Sequence, residues 1–413
     1  MSALRLVALL TSGAALLPIA CGGSSGSSSG APSGSDGGGG STDGGALSDG
    51  GAPIQAPCSG VATGTIFEPG TGGVRFAVGA GGAFLCRNRG STADAESAVE
   101  IYARVGAGPW VLERTVEEAS ACAIAQSSKG EVAVTVDGDD GIVVLRRGAG
   151  AWTPETFADV PDRSNPVGLV FDAEDEIHFV TATSPSFGVD RLVYGARGTD
   201  GGLEWVDVDK TTNSFGVLDN LIVALTPAGV PHFLYRHSPR QGDEETLKHA
   251  TRLPDGGFAS EILPLGGRDD GRRTSMAVAP GGEVHVSASF DGILDEAVVH
   301  FARSGDAWAQ DDVQRHQKTA GRLLGPTEIG IDGKGRLRVV YANDGDVVVA
   351  TRDGDTWTKS AVTKLRKNAA GFEDELLAAR LGPDDRLHLV VGELVADGLE
   401  RARVAHVATC PLP

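Results

Sequence analysis

Three groups of residues in this sequence are of types that could do chemistry. The first is basic. Arg268, Arg272 and Arg273 share one short segment, Arg315, His316 and Arg322 a second, and Tyr235, Arg236, His237 and Arg240 a third. In an otherwise acidic chain such a cluster could form a pocket for an anionic ligand, an acidic sugar or a peptide carboxylate, because guanidinium groups bind carboxylates through paired hydrogen bonds. The simpler account is a solvated loop surface with internal Arg–Asp pairs, and it is the default for charged loops.

The second group is a column of histidines. His178, His232, His285 and His388 recur at one register of a repeated strand, with Arg338, Ala133 and Phe84 taking that place in other repeats. Metal binding would require several of them to converge within bonding distance. A residue repeated in a repeated register is better read as packing between repeats. No cofactor or metal is expected from the spacings.

The third group is the cysteines, Cys21, Cys58, Cys86, Cys122 and Cys410. If Cys21 is used as an anchor, four remain. In an exported chain, four thiols without zinc-ligand spacing point to two disulfides, for which three connectivities exist. Cys58 with Cys410 would tie the two ends of the folded region together and contribute about 3–5 kcal/mol by closing a very long loop. Cys86 with Cys122 would join two neighbouring repeats.

These residues are positioned by a repeated phrase: a β-rich run, an Arg, a glycine turn and an aromatic. It is clearest at Val298–Trp308 and Val347–Trp357. The Arg recurs at Arg104, Arg147, Arg197, Arg252, Arg303 and Arg352, at intervals of about 43–55 residues. The aromatics that follow are Trp110, Trp152, Trp205, Phe258, Trp308 and Trp357, so all 5 tryptophans of the chain occupy one repeat position. Each unit divides into four short strands bounded by Gly, Asp and Pro turns, with no sustained helical period. Four-stranded units at this spacing predict an all-β fold, a β-propeller. Six phrases are complete. A seventh unit begins at Leu376 and stops after Arg403–Val407 without turn or Trp. The expectation is therefore a seven-bladed β-propeller of four-stranded blades, the last closed by the N-terminal strand at Val61–Phe67, since an open ring would leave two ragged sheet edges.

In such a meander the first-to-second and third-to-fourth turns share one face, and here they are short: Pro280-Gly281-Gly282, Asp332–Gly335, Gly382–Asp385. The other face carries the long connections, Asn88–Ala98, Thr183–Asp190, Lys210–Asn220, Arg236–Glu245, Leu263–Thr274 and Val313–Pro326. Long loops on a rigid scaffold commonly carry function, so this is the expected binding face. Acidic turns such as Asp137–Gly141 and Asn343–Asp346 lack the length and terminal Glu of a calcium loop and read as hairpin turns.

Composition agrees with a β-rich domain: 413 residues, 59 glycines and 5% aromatics. The formal charge of −19 argues against nucleic acid and anionic membrane surfaces as partners, because counterion release would have the wrong sign. The surface is expected to be solvated and the protein a monomer.

Residues 1–20 read as a signal peptide, with Arg5 ahead of an apolar run from Leu6 to Leu17 that is too short to span a bilayer. The run ends in Pro18-Ile19-Ala20-Cys21, which resembles the lipobox of bacterial lipoproteins; Ala20 and Cys21 match, while Pro18 departs from the aliphatic residue usual there. That resemblance implies lipidation of Cys21 and a membrane partner through the lipid. Residues 21–57 are a Gly/Ser-rich linker that cannot bury enough apolar surface to fold, and 58–413 are the propeller. Gly22 after the cysteine, in place of the Asp that retains such lipoproteins at the inner membrane, implies an exported protein at the cell envelope, the outer membrane ahead of the inner.

The phrase itself resembles the Asp-box repeats of sialidase-like propellers, Ser/Thr-x-Asp-x-Gly-x-Thr-Trp, most nearly at Thr351-x-Asp353-x-Asp355-Thr356-Trp357, which is one residue short. Residues 74–408 share that architecture and turn pattern. The resemblance implies the fold only: no Arg-Ile-Pro segment occurs, and the four tyrosines, Tyr102, Tyr194, Tyr235 and Tyr341, offer no recognisable nucleophile and base pair. The expected function is a lipid-anchored binding or scaffolding module without enzymatic activity, its partner a glycan or envelope protein. The alternative is a carbohydrate-active enzyme, a hydrolase or lyase, on the long-loop face. Such an enzyme should place two or more close ionisable groups, with a shifted pKa, in the central funnel. A structural subunit of an envelope complex would instead expose an apolar patch.

Overall fold

Sequence alternation and turn chemistry fix each sheet locally. In the sixth repeat, Leu337–Asn343 and Asp346–Asp353 are runs of Val, Tyr and Ala whose side chains are nearly all buried, as in a sheet covered on both faces. Between them Asp344 and Gly345 have φ of 52° and 79°, the two left-handed positions of a type I′ hairpin. The acidic stretch Asn343–Asp346 is thus a tight turn.

The structure, a computed structural model, describes residues 64–412 apart from 68–73, 90–96, 107, 139–140, 149, 158–163, 184–189, 198–202, 212–216, 239–245, 266–272, 292–294, 318–325, 368–373 and 395–400. Cys21, Cys58, Arg240, Arg268, Arg272 and Arg322 lie outside the described residues, as does the side chain of Cys410. Seven antiparallel sheets follow one another, six of them built wholly of strands consecutive in sequence, and the protein is an all-β, seven-bladed propeller. Blade one is Val74–Gly79, Gly82–Arg89, Ala98–Arg104 and Val111–Glu117; the strands of blade two run from Cys122 to Phe157, of blade three from Ser164 to Lys210, of blade four from Val217 to Ile262 and of blade five from Arg273 to Gln317; blade six is Glu328–Ile331, Leu337–Asn343, Asp346–Asp353 and Thr356–Lys364. Blade seven contributes Glu375–Leu381, Arg386–Leu394 and Arg401–Pro411, and the short Gly64–Phe67 pairs with the last of these, Gly64 opposite His406 and Thr65 opposite Ala405.

Each seam between blades has its own apolar cluster. Val298 and Val313 of blade five meet Ile329, Val339 and Tyr341 of blade six, with Trp357 packed against them. Val340, Val347 and Val349 of blade six meet Leu376, Leu387 and Leu389 of blade seven in the same way. Burying one such side chain contributes roughly 1.5–3 kcal/mol. Cys86, in the second strand of blade one, is disulfide-bonded to Cys122, which opens the first strand of blade two, so one seam is also covalent.

Several strands run further than their sequence suggested. Ala307–Gln317 continues the fourth strand of blade five through Arg315 and His316, and Pro231–Ser238 carries Arg236 and His237. Val217–Leu225 and Arg273–Val278 likewise begin within segments read as connections. Polar residues at these ends still satisfy the antiparallel ladder, which needs only the backbone.

Candidate functional site

The repeated Arg and aromatic clasp neighbouring blades. Arg147 of blade two donates two hydrogen bonds, both 2.7 Å, to Glu113 of blade one, and Trp152 donates its indole N–H to the same carboxylate at 2.9 Å. Arg303 of blade five donates to Glu261 of blade four at 2.7 Å. Arg352 of blade six donates to Asp311 of blade five at 3.2 Å, beside Trp357, whose N–H reaches the other oxygen. Arg197 pairs with Glu155. The acceptor stands three residues after the aromatic of its own blade, and this second half of the motif is readable in the sequence only once the register is known. Where Val208 occupies that position in blade three, the following blade carries Phe258, which has no N–H to place and packs edge-on to Tyr194.

The histidine column belongs to the same system. His232, His285 and His388 each stack on a histidine of the adjacent third strand, His249, His300 and His406, with ring centroids 5.2–5.3 Å apart. The partner histidines were not singled out in sequence. Trp308, Trp357 and Trp110 of the next blades stand edge-on to those partners at 5.3 Å. His178 instead bonds Asp172 at 2.9 Å, and Arg338 bonds Asp332 at 2.8 Å. Burial, then the charge of the partner ring, lowers the pKa of His232 and His285 to about 4 and of His406 to about 3. No group of three or more metal-ligating side chains occurs among the described residues. The column is packing between strands and seams.

The basic segments are only partly described. Tyr235 is fully buried and donates to Asp209 of blade three at 2.6 Å, where Lys248 also donates at 2.8 Å. His237 is buried, which lowers its pKa. Arg315 is held by Asp295 and Asp312 of its own blade at 2.8 Å each. Arg236 is engaged by other groups. The backbones of Arg273 and His316 lie in strands, their side chains outside the description.

A different polar group lines the central channel, a cavity of about 500 Å³ walled by the first strands of all seven blades. One register layer runs around it. Counting two residues on from the column position and crossing to the first strand gives Arg75, Ala123, Gly168, Ile222, Ser275, Glu328 and Ala378. Blades two to four contribute small or apolar residues here. Gly168 has no room for more, since a Cβ would lie 2.8 Å from Val180 and 3.1 Å from Val223. The opposite arc is polar. Arg380, one layer further along in blade seven, pairs with Glu328 of blade six and donates to the Ala379 carbonyl at 2.9 Å. Ser275 of blade five hydrogen-bonds Glu328 and accepts the Ile329 N–H at 3.2 Å.

Electrostatics single out this arc. Depth in the ring raises the Glu328 pKa, against the lowering influence of Arg380 and Ser275. Channel solvent still reaches 19% of the Glu328 side chain and 42% of that of Arg380. Arg75 lies equally deep yet exposed to that solvent; its pKa is lowered by burial first and by Arg380 second, and it has no hydrogen-bond or ion-pair partner among the described residues. Glu375 of blade seven lines the same cavity and has a partner of its own. Repeat alignment alone could have exposed the arc, as charges in a layer where neighbouring repeats carry Ala, Gly or Ile.

No protein-family description matches the sequence, and no curated protein matches it. Solved structures share the fold at low identity. A polysaccharide lyase, Uly1, superposes with a TM-score of 0.50 at 11% identity, covering 82% of this chain and 90% of its own. A protein of unknown function from Dyadobacter fermentans DSM 18053 gives 0.47 at 12% identity, covering 85% of this chain and 99% of its own. The Hadza microbial sialidase Hz136 gives 0.47 at 10% identity, covering 83% and 65%.

Proposed function

We propose that this protein is an exported, lipid-anchored propeller of the cell envelope that binds a ligand at its central channel and does not transform it. The observation that carries the reading is Arg75: a deep, solvent-reached guanidinium without a partner among the described residues, at the polar side of a cavity of about 500 Å³. A site of this size, with an apolar arc facing a few convergent polar groups, is the usual form of a small-ligand pocket. The anchor rests on the lipobox-like Ala20-Cys21 and the Gly/Ser-rich segment after it. A screen of the purified protein against glycans and envelope fractions tests the binding. Mass spectrometry of protein from its native membrane tests the anchor; an unmodified Cys21 on the mature chain would end that part of the proposal.

A carbohydrate-active enzyme is the second reading. It is favoured by the raised pKa of Glu328, which suits a general acid, and by Glu375 in the same cavity. Release of new sugar ends from any polysaccharide in the same screen would establish it over the first.

A further inference from the structure

We infer that the channel takes a carboxylate-bearing ligand, of the uronic-acid class, on Arg75 and Arg380, and that the ligand replaces Glu328 at Arg380 as Glu328 takes up a proton. This rests on the channel being the binding site.

Four charged side chains line the cavity: Arg75 of blade one, Arg380 and Glu375 of blade seven, and Glu328 of blade six. Blade five adds the hydroxyls of Thr274 and Ser275, blade six that of Thr327; among the described residues blades two to four present no titratable group to the cavity. With Glu328 ionised the two positive and two negative charges of these described groups balance. Protonating Glu328 leaves one surplus positive charge on two guanidinium groups, Arg380 being close enough to lower the pKa of Arg75. A single carboxylate matches that surplus, and each guanidinium offers a planar pair of N–H donors that fits it. Glu328 in its resting position is an internal stand-in for such a ligand.

The exchange costs little in charge. In the resting state Glu328 holds its negative charge at depth, against the preference that raises its pKa. Bringing in an outside carboxylate while Glu328 protonates replaces one anion at Arg380 by another and satisfies Arg75 as well. The protonated carboxyl can still donate to Ser275 Oγ. The opposite arc, with Ala123, Leu169 and Ile222, offers an apolar surface to the C–H face of a sugar ring.

Isothermal titration of the full-length protein with D-galacturonate, and with D-galactose as the uncharged control, tests the inference at about pH 7.5 and about pH 5; an ordinary carboxyl, titrating near about 4, stays ionised across that range. Galacturonate should bind about tenfold tighter at the lower pH, and the heat at the higher pH should vary with buffer ionisation enthalpy, reporting proton uptake. Glu328→Gln should bind equally at both pH values, with the acid-pH affinity of the natural protein. Arg75→Gln should bind at least about tenfold more weakly at both. Unchanged melting temperatures certify both variants. Galactose binding as well as galacturonate, affinity independent of pH in the natural protein, or no binding to Glu328→Gln would each overturn the inference. Hits among uncharged glycans would leave the binding-module reading standing while this one fell.

Discussion

Trp357 of blade six donates its indole N–H to Asp311 of blade five at 2.5 Å, and Asp311 at the same time accepts from Arg352 and contacts His300 at 2.7 Å. One carboxylate therefore serves three groups from two blades, and removing it takes a partner from each of them. Asp311→Ala should destabilise the protein by about 2–4 kcal/mol. Trp357→Phe, which keeps the ring and loses only the N–H, should cost about 1–2 kcal/mol. Chemical denaturation of both variants measures the difference; equal costs would show that the carboxylate matters only to the tryptophan.

Asp332 is a harder case, because its side chain is fully buried. It accepts from Arg336 and Arg338 at 2.8 Å and from the backbone N–H groups of Lys334 and Arg336. Burial opposes its charge, yet these bonds hold its pKa at about 2. Asp332→Ala takes from Arg338, itself 3% exposed, its buried carboxylate partner and should cost about 3–5 kcal/mol, read as a lower denaturation midpoint. Asp332→Asn, which keeps part of the turn's hydrogen bonding, should cost less.

Acid should weaken the fold through the paired histidines. His232 and His285 have folded pKa values of about 4, below the unfolded value near about 6.5. The unfolded chain then binds more protons as the pH falls below about 6.5, so the stabilisation is complete above that pH and is lost down to about 4. The melting temperature should fall across this window, and replacing both His232 and His285 by Asn should flatten the fall. An identical slope in the double variant would assign the effect to other groups.

The Cys86–Cys122 bridge closes a loop of 36 residues between blades one and two. Replacing both cysteines by Ser should lower stability by about 4 kcal/mol on the chain-entropy account. The loss should equal that of the natural protein under reducing conditions. A much larger effect of reductant would indicate a further disulfide, the Cys58–Cys410 pairing being the candidate.

The architecture was legible because the phrase at Val347–Trp357 is local: an Arg, a turn glycine and a Trp within a few residues report one hairpin, and six copies report six. The partners of Tyr235 and Arg315 were not legible, for the opposite reason. Both are of types that bind anions, but what they bind is decided by Asp209, Asp295 and Asp312, two of them distant in sequence. The channel arc was invisible on the same ground. Arg75, Ser275, Glu328 and Arg380 are far apart in the chain and meet only because the ring brings blades five, six, seven and one into succession. Depth, not residue type, is what raises the pKa of Glu328, and depth is a property of the closed ring.

The clasps of Arg147, Arg197, Arg303 and Arg352 point one way: each reaches back to the blade made before it. A growing or translocating chain can fasten each seam as soon as its next hairpin emerges, with little loop to close. Arg104 is the exception, for its partner His406 lies 302 residues ahead, and the ring is the last thing the chain can know about itself. Until that final seam forms, Arg75 and Glu328 stand on opposite sides of a gap. A partly made or truncated protein would thus carry most of its blades and no site, so that ligand binding reports completion of the ring.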